Sequence, residues 1–135
     1  MKYIIMLTIV IGLAGADFLT GIIKAYIKRD LSSAKMRKGG LNKICEIVVM
    51  ATACGLEIGI DLLGRYHHTA ELAGISGAVA AGLVFAYIVM MELISIFENY
   101  GEISPDASWV RSLIRKLRAY HGREEDEHDS NLPSR

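Results

Sequence analysis

The feature that most constrains this chain is the stretch of residues 72–91, which contains no charged side chain. About 20 apolar residues are what an α-helix needs to cross a lipid bilayer. Charged residues make up 22% of the whole chain and the formal net charge is zero. Because a neutral chain offers no overall positive charge to nucleic acid, we expect no nucleic-acid partner. The stretch predicts an integral membrane protein.

Three segments have the length and hydropathy of membrane spans: residues 3–23, 44–64 and 72–97. The first is interrupted only by Asp17, whereas the second contains Glu57 and Asp61 near its centre and its far end. A central acidic residue costs about 2.5–3.5 kcal/mol on insertion scales, so the second span needs neighbouring helices to insert. The predicted fold class is an all-α integral membrane protein whose three transmembrane helices form a domain of residues 1–101.

Residues 102–122 predict an amphipathic basic helix after the third span. Pro105 suits its first turn, and apolar residues recur at helical spacing until Gly122. Its basic face suits an anionic lipid surface or, alternatively, a partner domain. The candidates for contact with the membrane surface are Trp109, Arg111, Arg115, Lys116 and Arg118. Residues 123–135 are rich in acidic side chains and predict a disordered tail.

The distribution of basic residues predicts the orientation in the membrane. Residues 24–43, between the first two spans, contain seven basic side chains, whereas the next loop has only Arg65 beside two histidines. Short loops rich in lysine and arginine remain in the cytoplasm. We therefore expect a multi-pass protein of the cytoplasmic membrane with its N-terminus outside and its C-terminus in the cytoplasm.

The stretches on either side of the first span leave two local questions. Lys2, the apolar stretch and the small residues after it are also typical of a secretory signal peptide, so removal of residues 1–16 stays open. A retained helix is favoured because apolar residues resume at once after Asp17. After the span, residues 33–38 predict a short helix that ends at Gly39-Gly40.

Each span has polar residues that recur on one helical face, and we call these faces the polar edges. The candidates for facing water or one another in an assembly are Asp17, Thr20, Glu57, Asp61, Glu92 and Asn99. Ionisable residues inside a membrane mark functional pathways, and Glu57 lies deepest. Lys24, and Glu46 with Lys43, are better explained as interfacial residues that pair near the headgroups. We expect the polar edges to face one another before any opening.

Small residues form a second pattern along the spans. The candidates for helix packing are Gly12, Ala16, Gly55, Gly59, Gly74, Ala78 and Gly82. Small residues four apart let helix backbones approach closely and promote association in lipid. Contacts within one chain account for one such face, but three faces favour a homo-oligomer. No phosphate-binding loop, cysteine-rich metal spacing or catalytic triad occurs in the sequence, so we expect a non-enzymatic protein without cofactor or metal.

Two separated motifs resemble those of the toxin-secretion/phage-lysis holin family. The first motif is DFLTG at residues 17–21, with LSS at 31–33 and RKG at 37–39. The second is ELISIFEN at residues 92–99, followed by Gly101, Pro105 and a basic helix. The resemblance is collinear and covers roughly residues 17–117. The family includes phage holins and a related clostridial protein implicated in toxin release.

The resemblance implies a protein that oligomerises in the bacterial cytoplasmic membrane and opens lesions. The implied partners are other copies of the chain, the lipid bilayer and an antiholin, with an endolysin or a toxin as cargo. Family motif residues, none with a catalytic role, correspond to Asp17, Thr20, Gly21, Ser33, Glu92 and Asn99. A second start at Met6, which would omit Lys2, stays open.

Two other functions remain as alternatives. The first is a small three-span membrane enzyme of the lipid-kinase type, whose acidic residues would hold metal and nucleotide at the cytoplasmic face, where Glu92, Glu98 and Asn99 cluster. The carboxylates of the second span are placed too deep for that role. The second alternative is a non-conducting antiholin, which the sequence barely distinguishes from a holin.

Overall fold

The computed structural model describes the backbone of residues 1–130 and the side chains of residues 1–119. Four helices follow one another along the chain: α1 (Lys2–Ile27), α2 (Ser33–Tyr66), α3 (Ala70–Ile103) and α4 (Ser108–Ser130). No strand occurs among the described residues. The first three helices are long and apolar enough to cross a membrane. The prediction of an all-α membrane protein with three spans is therefore confirmed.

Helices α2 and α3 are longer than a bilayer requires. Each has 34 residues, which at 1.5 Å per residue gives a length of about 51 Å, against about 30 Å for the hydrocarbon core. Their charge-poor parts, residues 44–64 and 72–91, lie towards the α2–α3 turn. The excess length therefore lies at the opposite end, where α1 ends, α2 begins and α3 ends. We call this the basic end, because residues 24–43 lie there.

Helix α2 runs without interruption through Gly39 and Gly40, so the predicted short helix over residues 33–38 is wrong. Both glycines keep a helical backbone, since no glycine in the described residues has a positive φ. They lie beside the ring of Phe18 in α1, where an added Cβ would be 3.8 Å from the ring at Gly39 and 3.9 Å at Gly40. The two glycines thus provide a smooth surface on which α1 packs.

The three long helices meet along a narrow apolar core formed by Met6, Val10, Met50, Cys54 and Ile88. Val10 and Met50 have no exposed surface. Many other large apolar side chains face outwards, as expected of helices whose surroundings are lipid. The core lies between two buried polar layers, one towards the α2–α3 turn and one towards the basic end.

Helix α4 packs back on the end of α3. Val110 is fully buried, and a Cβ added at Gly101 would be 3.5 Å from Val110 Cγ1. The helix begins at Ser108, because α3 continues to Ile103 and a turn follows it. It extends through Ser130, beyond the predicted end at Gly122, and residues 131–135 lie outside the described residues. Residues 123–130 of the predicted disordered tail are therefore helical, and the disorder of residues 131–135 stays a prediction.

Candidate functional site

The buried polar layer towards the basic end centres on Lys43 of α2. Its Nζ lies 2.8 Å from Asp17 Oδ2 of α1 and 2.8 Å from Glu92 Oε2 of α3. It also lies 3.4 Å from Glu46 Oε2, one turn along its own helix. The Glu92 side chain is only 1% exposed and that of Asp17 is 9% exposed. We call these four residues the Lys43 cluster; it joins all three long helices.

Asn99 of α3, seven residues and about two helical turns beyond Glu92, extends the cluster towards the basic end. Its Nδ2 donates to Asp17 Oδ1 at 3.0 Å and to Thr20 Oγ1 at 3.2 Å. The Thr20 hydroxyl in turn donates to the backbone carbonyl of Asp17 at 2.9 Å. Four of the predicted polar residues, from α1 and α3, are thus brought together in one network with the Lys43 cluster.

The Lys43 cluster places three carboxyl groups around one ammonium group in the interior of the bundle. Glu92 Oε1 is buried and accepts no hydrogen bond. A buried charge is costly unless it is paired, so Lys43 is the group that makes the burial of Asp17 and Glu92 possible. A paired arrangement of this kind fixes the three helices in one rotation relative to one another.

The predicted pairing of Lys43 with Glu46 is present, but the sequence did not predict that Lys43 also contacts the two other helices. The sequence contains one pattern that indicates these contacts of Lys43. Lys43, Met50 and Glu57 recur at intervals of seven residues, which places them on one face of a helix. Met50 and Glu57 are buried on that face, and Lys43 is largely covered there.

The polar layer towards the α2–α3 turn is smaller and centres on Glu57. Its Oε1 accepts a hydrogen bond from Lys2 Nζ, while its Oε2 is buried without a partner. Gly77 of α3 lies against the same residue, where an added Cβ would be 3.2 Å from Glu57 Cα. Asp61, one turn further, pairs with Arg65 at 2.8 Å and remains half-buried.

Within one chain, the polar edges therefore face each other across the bundle interior. Asp17, Glu57, Glu92 and Asn99 are all buried there. That these residues face a pore in an assembly of several chains stays a prediction.

The small residues divide into an inner and an outer set. Gly77 is buried against Glu57 of α2, Ala81 is buried as well, and Gly74 lies beside Asp61. An added Cβ would meet nothing within 4 Å at four of the predicted packing positions, which are Gly12, Gly55, Gly59 and Gly82. Ala16 and Ala78 are half-buried. The four glycines with no neighbour within 4 Å, which we call the outer set, are thus open to contact from outside the chain.

The predicted membrane-surface residues lie on the outer side of α4. Trp109 is 58% exposed, and its ring lies 6.2 Å from that of Tyr100. Arg115 and Lys116 are exposed, whereas Arg118 binds Glu98 of α3 through two nitrogens. The guanidinium of Arg111 donates to the carbonyl of residue 105 at 2.8 Å. The apolar side of α4 contacts α3, so only its basic side and Trp109 are left for lipid.

Exposed ion pairs connect the helices at the basic end. Glu102 accepts hydrogen bonds from Lys24, at 3.5 Å, and from Lys28. Lys35, in the first turn of α2, donates to Asp30 of the α1–α2 loop at 2.6 Å. The Lys35 ammonium holds the pKa of the Asp30 carboxyl below its ordinary value. The interfacial role of Lys24 stays a prediction.

Comparison with known proteins gives relatives and a family. The chain is 28% identical to the uncharacterised protein Lin0175 of Listeria innocua over 118 residues, which are 87% of this chain and 74% of that protein. It is 27% identical to the uncharacterised protein Lmo0128 of Listeria monocytogenes over 118 residues, again 87% of this chain and 74% of that protein. No solved structure matches significantly. The model of the bacteriophage holin family matches residues 2–119, which include all three long helices. The chain is therefore a multi-pass membrane protein that belongs to the bacteriophage holin family.

Proposed function

We propose that this protein is a holin that oligomerises in the bacterial cytoplasmic membrane and forms lesions. Through these lesions an endolysin, or a toxin, would leave the cytoplasm. The observation that supports this function best is the family match over residues 2–119, because it includes all three helices of the described residues that could span a membrane.

The outer set of small residues supports the oligomer. Gly12 of α1, Gly55 and Gly59 of α2, and Gly82 of α3 leave an open surface on each long helix. In lipid, where no hydrophobic effect drives helices together, close contact between backbones is a main source of association. Each chain would therefore present several packing surfaces, as an assembly of many copies requires.

The two buried polar layers support a closed resting form. In the single chain, the carboxylates are paired with Lys43 and Lys2 rather than exposed to lipid or water. In our proposal, a first loss of membrane potential lets the polar edges separate and turn towards water in the assembly, and the opened lesions then collapse the potential completely. Moving one charge across the potential is worth about 2.3 kcal/mol per 100 mV, so a few charges suffice to bias such a transition.

The function is tested by induced expression in a bacterium, with membrane potential and release of a co-expressed cytoplasmic endolysin followed together. We expect a delayed, sudden collapse of the potential and then lysis that depends on the endolysin. Collapse without lysis would indicate a lesion that passes small ions only. Normal accumulation in the membrane without collapse would favour the antiholin, and phosphorylation of a lipid by ATP would favour the enzyme.

The mechanism is tested with Glu57→Gln, which removes the ion pair with Lys2 but keeps the shape of the side chain. We expect the collapse to occur earlier than in the unmodified protein, because the closed form loses the ion pair between the buried Glu57 and Lys2. The matched control is Glu71→Gln in the exposed first turn of α3, which should not change the timing. Unchanged timing in Glu57→Gln would contradict the mechanism and leave the holin function standing.

A further inference from the structure

A cavity of about 460 Å³ lies at the basic end, between the second half of α1, the first turns of α2 and the end of α3. Phe18, Ile22 and Met36 form apolar parts of its wall. Lys24, Lys28 and Lys35 also line it, and we call them the cavity lysines. Its inner end reaches Asp17 and Lys43 of the Lys43 cluster. The cavity thus combines an apolar surface with several ammonium groups.

The wall of this cavity carries four ammonium groups, of Lys24, Lys28, Lys35 and Lys43, and three carboxyl groups, of Asp17, Asp30 and Glu102. Residues 24–43 contain seven basic side chains and one acidic side chain, Asp30. Helix α2 begins beside the cavity, with no acidic residue in its first turn and no side-chain hydrogen bond from Ser32 to cap it. The partial positive charge of a helix N-terminus therefore adds to that of the lysines.

The carboxylates that hold the cavity lysines are exposed and replaceable. Glu102, which accepts from Lys24 and Lys28, has a side chain that is 45% exposed, and that of Asp30 is 64% exposed. Exposed ion pairs of this kind are weak. A phosphate group carries several acceptor oxygens, so it can accept hydrogen bonds from both Lys24 and Lys28 in place of Glu102.

We propose that this cavity binds an anionic phospholipid. Its phosphate lies among the cavity lysines, and its glycerol and first acyl carbons lie against the apolar wall. A lipid is favoured over a soluble phosphate because the wall is apolar and because the basic end lies where the charge-poor segments finish, at the level of the headgroups. This site goes beyond the proposed pore function and requires no oligomer.

The experiment uses the full chain purified in detergent and offered equal amounts of phosphatidylglycerol and phosphatidylcholine, with retained lipid counted by native mass spectrometry. We expect one phosphatidylglycerol per chain to be retained preferentially. Lys24→Gln/Lys28→Gln should lower that retention at least tenfold, because each lysine near an anionic headgroup contributes about fivefold. The matched control is Arg37→Gln/Lys38→Gln, which removes two charges of the same segment outside the cavity wall and should change retention less than about twofold.

Two further variants separate binding from folding. Glu102→Gln frees Lys24 and Lys28 from their carboxylate and should increase retention of phosphatidylglycerol. Met36→Trp should fill part of the cavity and decrease it while the helix content measured by circular dichroism stays unchanged. If Lys24→Gln/Lys28→Gln and Arg37→Gln/Lys38→Gln lowered the retention of phosphatidylglycerol equally, the proposal would be overturned in favour of general attraction to the basic surface. Weaker retention in Glu102→Gln, or displacement of the lipid by inorganic phosphate alone, would overturn it as well.

Discussion

At the scale of single residues, Lys43 is the counter-ion of two buried carboxylates that belong to different helices, Asp17 and Glu92. Its side chain is only 18% exposed, and its ammonium group lies 2.8 Å from each of these carboxylates. Removal of one member of a buried ion pair leaves an uncompensated charge and is far more destabilising than loss of a surface pair. The stability of the bundle should therefore depend on this one side chain.

We predict that Lys43→Met lowers the free energy of unfolding by about 3–5 kcal/mol, because Asp17 and Glu92 then remain buried without a cation. Reversible unfolding in detergent micelles, followed by circular dichroism, measures this loss. Lys38→Met, five residues earlier in α2 and exposed, should change stability by less than about 0.5 kcal/mol. Equal effects of the two substitutions would show that the Lys43 cluster does not stabilise the bundle.

At the scale of helices, α3 presents small residues on two sides with different consequences. Gly77 touches the backbone and side chain of Glu57, whereas nothing lies within 4 Å of a Cβ added at Gly82. The repeat of small residues along α3 therefore serves the chain's own packing at one side. The other side is free for a second chain, as the proposed oligomer requires.

We predict that Gly77→Leu affects the stability of the single chain, whereas Gly82→Leu affects the association of chains. The first should destabilise the single chain by about 1–3 kcal/mol, since the new side chain has no room beside Glu57. The second should leave unfolding unchanged but reduce energy transfer between donor- and acceptor-labelled chains in vesicles, because it separates the helix backbones. Undiminished energy transfer with Gly82→Leu would exclude this face as the contact between chains.

Helix α4 can be followed with a native probe, since Trp109 is the only tryptophan of the chain. In nanodiscs of phosphatidylglycerol, we expect its emission to lie at shorter wavelength than in nanodiscs of phosphatidylcholine, because the basic side of α4 is attracted to anionic headgroups. Arg115→Gln/Lys116→Gln should abolish the difference. An emission maximum that is the same in both lipids would contradict a membrane-surface role for α4.

At the scale of the whole molecule, the charges are distributed unequally between the two ends of the bundle. The basic end holds residues 24–43, whereas the α2–α3 turn has Arg65 and two histidines. From the positive-inside rule we predict that the basic end lies in the cytoplasm. The same orientation follows whether or not residues 1–16 are removed.

We predict that a cysteine in the α2–α3 turn is accessible from outside the cell and one at the start of α2 is not. In a background that lacks Cys45 and Cys54, His67→Cys should react with a membrane-impermeant maleimide in intact cells. Ser33→Cys should react only after the membrane is permeabilised. Both positions are exposed in the structure, so the reverse pattern of labelling would mean that the orientation is inverted.

The sequence by itself determined the number of spans, their approximate positions and the residues on each polar edge. These properties are local: the cost of placing a charge in hydrocarbon depends on the residue and its immediate neighbours, and helical periodicity assigns each residue to a face. Asp17, Thr20, Glu92 and Asn99 were predicted on this basis, and the structure joins all four in one network.

Only the tertiary structure decided which faces meet. It joins Lys43 to Asp17 and Glu92, continues α2 through Gly39-Gly40, and turns Gly77 inwards while Gly82 stays open. The first turns of α2 and the last turns of α3 similarly extend beyond the predicted spans. These outcomes depend on the rotation and separation of helices whose contacting residues lie dozens of positions apart in the chain, and neither periodicity nor hydropathy contains that information.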